Sequence, residues 1–99
     1  METVLNYKQC GFSREDTNWF LQKSRKLSPL VGREARVHWT IDHSNNGYRV
    51  LCNAFAKNLD VHSRALGSDV KSTFRHALLK VWSQIVKRSH RAADLRRRP

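Results

Sequence analysis

Histidine and cysteine are the side chains most often used as base, nucleophile or metal ligand. This chain of 99 residues has five of the first, His38, His43, His62, His76 and His90, and two of the second, Cys10 and Cys52. Their spacing speaks against a built site. The cysteines have no CxxC partner and no paired Cys/His spacing, so two reduced, partly buried thiols are expected and a structural zinc site is not. His38 and His62 fall at outward positions of two strands and could be neighbours; the plain reading is a pair of solvated or polyanion-facing imidazoles, the sharper one a shared metal or catalytic pair. There is no Gly-rich phosphate loop, GxSxG elbow, HExxH or suggestively placed carboxylate pair. The expectation is a protein that is no enzyme and needs no metal or cofactor.

What the chain does carry is positive charge. It has 19 Lys and Arg against 8 Asp and Glu, a formal net charge of +11. A folded surface with that balance attracts polyanions, and nucleic acid is the commonest, because each neutralised phosphate releases counterions. A membrane would require an apolar run of roughly 18 residues or a long helix with basic and bulky apolar faces, and neither is evident. The start, METVLNYKQC, has no secretory pattern, which suggests a cytoplasmic protein. At this length and 39% hydrophobic content, one domain with one modest core is expected, over residues 1–91.

The elements that must position these charges can be placed from periodicity and capping. Thr3 to Tyr7 is β-prone. Ser13 followed by Asp16 resembles a capping box and starts a helix on which Trp19, Phe20, Ser24 and Leu27 share a face, with Pro29 and Gly32 ending it. Ala35 to Asp42 alternates, Ala35, Val37, Trp39 and Ile41 inward, as a half-buried strand does. Asn46-Gly47 suits a hairpin turn, Tyr48 to Lys57 pairs back, Asn58 turns the chain, and Leu59 to Ala65 alternates again. Gly67-Ser68-Asp69 caps a second helix, where Val70, Phe74, Ala77, Leu78, Val81 and Ile85 recur at three- and four-residue steps as the core stripe.

Lys71, Arg75, His76, Lys80, Ser83, Lys87 and His90 lie off that stripe and make a basic outer side. Trp19, Trp39, Phe74 and Trp82 fit core positions, whereas Tyr48 and Phe55 could reach the surface and stack on bases. Residues 92–99 read as a basic, disordered tail. The fold class is therefore α+β: a βαβββα two-layer sandwich, a mostly antiparallel four-stranded sheet with two helices packed on one face.

Several spacings are similar to those of the ribosome hibernation-promoting factor and ribosome-associated inhibitor family. The marks are Lys23, Lys26 and Leu27 on the first helix, the strand Val37-His-Trp-Thr-Ile41, the run Val61-His-Ser-Arg-Ala-Leu-Gly-Ser-Asp69, then Lys80, Gln84 and Lys87. The resemblance is nearly end to end. It implies a translation inhibitor that occupies the messenger and tRNA channel of the small ribosomal subunit under stress or in stationary phase, contacting rRNA through Lys23, Lys26, Lys80 and Lys87. Gln84 lies with them, and Arg25, Lys71, Arg75, Arg88 and Arg91 are added from charge. Asp69 would serve as a helix-start residue. Family members often carry acids where this chain has Arg75 and Leu79, so this second helix is the more basic one. The short form implies a monomer off the ribosome, with any pairing of ribosomes left to a separate dimerising factor.

Two other readings compete. A double-stranded-RNA-binding module also packs helices on a sheet, but begins with a helix and wants a lysine cluster at the start of its last helix, where this chain has only Lys71. A small protein-interaction domain or antitoxin would use the charge to meet an acidic protein; steep weakening of RNA or ribosome binding with salt favours the first two readings, and tight binding to a protein partner favours this one.

Overall fold

The computed structural model describes the backbone of residues 1–97 and the side chains of residues 1–88. The elements run β1 (Glu2–Lys8), α1 (Arg14–Ser24), a 3-10 turn (Arg25–Leu27), α2 (Ser28–Val31), β2 (Arg36–Ser44), β3 (Gly47–Ala56), β4 (Leu59–Gly67) and α3 (Val70–Arg97). The sheet order is β1-β2-β3-β4. β1 lies parallel to β2, and the other two pairings are antiparallel. This is the βαβββα order and fold class expected from the alternation and capping signals.

One face of the sheet carries the core. Val37, Trp39 and Ile41 of β2, Val50, Cys52 and Ala54 of β3, and Val61 and Ala65 of β4 are buried against Phe20 and Leu27 from the first helical segment and Phe74, Ala77, Leu78, Val81 and Ile85 of α3. Alternation places Asn53, His62 and Arg64 on the opposite, uncovered face. The aromatic residues make the seam between helices and sheet: Phe74 stacks on Trp39 with centroids 4.1 Å apart and meets Phe20 at 5.0 Å.

Both long helices start on the expected caps. The Ser13 hydroxyl accepts from the Asp16 amide at 3.0 Å, and the Asp69 carboxylate accepts from the Ser72 amide at 3.0 Å. That bond, with smaller help from the charges of Arg75 and Lys71, holds the Asp69 carboxyl below the usual aspartate range.

Three local expectations are corrected. Pro29 does not end the first helix; it sits in the opening turn of α2, where a missing amide costs nothing, and Gly32, at φ +85°, provides the stop. The hairpin loop is centred one residue earlier than Asn46-Gly47: Ser44 pairs with Gly47 and the loop is Asn45-Asn46. Gly47 alone there has positive φ, +129°, and a β-carbon on it would lie 2.6 Å from the Gly67 carbonyl oxygen, so glycine is required twice over. Trp82, expected in the core, is 38% exposed, because one step past Val81 turns a side chain about 100° out of the buried stripe. The last helix, α3, runs as far as Arg97. Ala92, Ala93 and Leu95 favour helix, and extending a formed helix escapes the nucleation cost. Residues 98–99 lie outside the described residues.

Candidate nucleic-acid interface

The cations of α1 and α3 converge on one aromatic ring. Trp19 and Lys23 stand four residues apart on α1, and Lys71 and Arg75 four apart on α3, so each helix turns both members of its pair to the same side. Trp19 is half-buried in the seam, with its ring against Phe20 and Phe74. The Lys23 and Lys71 Nζ atoms lie 5.5 and 5.3 Å from its centroid and the Arg75 guanidinium carbon 5.3 Å. Three cations that would repel in water are thus gathered around one electron-rich ring. Asp16 neutralises part of this charge through Lys71, at 3.4 Å.

Beside this cluster runs a groove of about 340 Å³, lined by Lys23, Lys26, Arg75, Leu78, Leu79 and Trp82. Its cations come from both helices, its floor is apolar, and no carboxylate lines it. Lys26 chiefly, and after it burial and Arg75, lower the Lys23 pKa below the usual lysine value. Crowded like charges are costly to the free protein, and an anion seated among them relieves that cost.

No family model matches the chain, and no curated protein matches its sequence. Its structure is nonetheless similar to that of a ribosomal subunit interface protein from Coxiella burnetii, with a TM-score of 0.78 at 14% identity over 91% of this chain and 99% of that one. It is similar also to the N-terminal domain of Protein Y from Thermus thermophilus, with a TM-score of 0.78 at 12% identity over 86% and 96%. The chain shares the fold of these two proteins. At that identity the likeness concerns the fold, and the contact residues must be read from this chain's own geometry.

On this shared fold the residues expected from sequence divide into groups. Lys23, Lys26, Lys71 and Arg75 are brought together in the α1–α3 seam. Lys80 and Gln84 are on the other flank of α3, where the Lys80 ammonium donates to the Arg64 carbonyl and the Gln84 amide to the His62 carbonyl, each at 2.7 Å. They cap the free edge of β4. Lys87 joins them around a shallow depression with Leu79 and Ser83, and Arg88 is exposed. Arg25 lines a different hollow, with Met1, Thr3, Leu21 and Ser28. The Arg91 side chain lies outside the described residues.

Sequence reading missed Trp82 and Leu79 as surface residues of the groove. A signal was present: Trp82 is seven positions, two turns, beyond Arg75, which puts it on the cationic side of α3. Among the described residues the histidines make no cluster. Asn53 stands between His38 and His62 in the ladder, His62 Nδ1 lies 2.5 Å from the Asn53 Oδ1 and His62 Nε2 2.9 Å from Asp60. No group of metal-ligating side chains occurs among the described residues, and no helix among them is long and apolar enough to cross a membrane.

Proposed function

We propose that this protein binds the small ribosomal subunit and holds back translation by occupying the channel used by messenger and tRNA. The observation that carries the reading is the convergence of Lys23, Lys26, Lys71 and Arg75, from two helices, on the side of a fold shared with a ribosomal subunit interface protein. Charges supplied by two rigid helices have a set spacing, which suits the fixed phosphates of folded RNA better than a flexible tail would.

The seam is the principal rRNA contact. Lys87 and Arg88 offer further phosphate contacts from the rest of the exposed surface of α3, Arg91 is included from its charge alone, and Arg25 adds a contact beside the 3-10 turn. Lys80 and Gln84 serve the sheet edge first. The protein acts as a stoichiometric plug in the cytoplasm, without turnover, and pairing of inhibited ribosomes falls to a separate factor.

Sedimentation with purified small and large subunits through sucrose, at two salt concentrations, tests this. The expected result is one copy per small subunit at low salt and steep loss at high salt. No co-sedimentation with small subunits at low salt overturns the reading.

A further inference from the structure

A groove built only to hold phosphate would be polar. This one is floored by Leu78, Leu79 and Trp82, and the last two are 61% and 38% exposed, which makes them two of the large hydrophobic side chains left most open to solvent. Trp82 differs from Trp19: cations cover the Trp19 ring, whereas no cation-π contact occupies Trp82 among the described residues. An open indole face beside Lys23, Lys26 and Arg75 is the combination that single-stranded nucleic acid meets, a flat base for the ring and a phosphate for the cations. A duplex cannot use it, because its base faces are already stacked on each other.

From this juxtaposition we infer that the α1–α3 groove is a base-stacking site for one unpaired nucleotide of RNA, with the base on Trp82 against Leu79 and its phosphates held by Lys23, Lys26 and Arg75. The groove volume of about 340 Å³ is at the lower end of the range for small-ligand sites and fits a nucleotide better than a helix. The inference rests on the ribosome reading and sharpens it: the target on the subunit is a place where rRNA displays an extruded base. Phosphate contacts set the position, and the stacked base selects single-stranded over paired RNA at the same charge.

The test uses the full chain and end-labelled RNA in a fluorescence anisotropy titration. The probes are an oligoadenylate hexamer, an abasic strand with the same number of phosphates, and a paired duplex of matched charge. Wild type should prefer the hexamer to the abasic strand by about tenfold or more. Trp82→Leu should erase that preference and leave duplex binding unchanged, whereas Trp82→Phe, which keeps an aromatic face, should retain most of it. Equal binding of hexamer and abasic strand by wild type overturns the inference, and so does a preference that survives Trp82→Leu. Sedimentation of the same proteins with small subunits separates the two claims. A hexamer preference without subunit binding sinks the ribosome reading alone, and subunit binding without the preference sinks the base site alone.

Discussion

Trp39 donates its indole N–H to the Ser24 hydroxyl at 2.8 Å, and both side chains are fully buried. The bond joins the middle of β2 to the last residue of α1, so it also fixes where the 3-10 turn begins and hence where Lys26 is held. A serine on the buried face of a helix is costly unless paired, and this one is paired with the largest side chain of the core. Ser24→Ala should leave the Trp39 N–H unsatisfied and lower stability by about 1–3 kcal/mol. The check is the denaturant midpoint; an unchanged midpoint would show that the bond contributes nothing net.

Charge reversal in the seam should act on binding more than on folding, because Lys23 and Arg75 lie at the surface beside Trp19 and neither is part of the buried core. Lys23→Glu with Arg75→Glu should remove small-subunit binding at moderate salt. Milder neutral changes at the same two positions should make the slope of log K against log salt shallower by roughly 1.5, the loss of two phosphate contacts. A slope equal to wild type would place the RNA elsewhere.

The crowding of Lys23 by Lys26 predicts a pH effect. A bound phosphate favours the charged ammonium, so binding of a polyanion is strongest below the depressed Lys23 pKa and weakens as the pH rises through it, earlier than for an ordinary lysine. Lys23→Arg keeps its charge throughout and should shift that weakening to higher pH. Titration of a DNA strand, which survives alkali, reads the difference; superimposable wild-type and Lys23→Arg profiles would refute it.

Gln84 donates to the carbonyl of His62 on an edge strand that otherwise offers its acceptors to any passing chain. Gln84→Ala should cost about 0.5–1.5 kcal/mol of stability, raise the tendency to associate, and leave RNA affinity within twofold, roughly the noise expected for a residue without phosphate contact. Analytical ultracentrifugation and an RNA titration give the two readouts. A large loss of RNA affinity with intact stability would move Gln84 into the contact surface.

Much of the fold was legible before any coordinate. The alternation of Val37, Trp39 and Ile41, the caps at Ser13 and Asp69 and the stripe from Phe74 to Ile85 are local patterns, and each forms the expected element in the expected place. Element ends were less legible. Pro29 and the Asn45-Asn46-Gly47 turn depend on which residue must carry positive φ, and a neighbouring backbone, that of Gly67, helps decide it.

Sequence by itself determined the charge, the element order and most of the buried residues of β2, β4 and the two long helices, since these follow from residue type and a period of two or 3.6. Only the tertiary structure decided that β1 runs parallel beside β2, that Trp19 gathers Lys23, Lys71 and Arg75, and that Lys80 and Gln84 turn to β4. The physical reason is that a basic side chain has no period of its own. Whether it meets another cation, an aromatic ring or a carbonyl depends on how α1 and α3 pack on the sheet, and that packing joins residues about fifty positions apart.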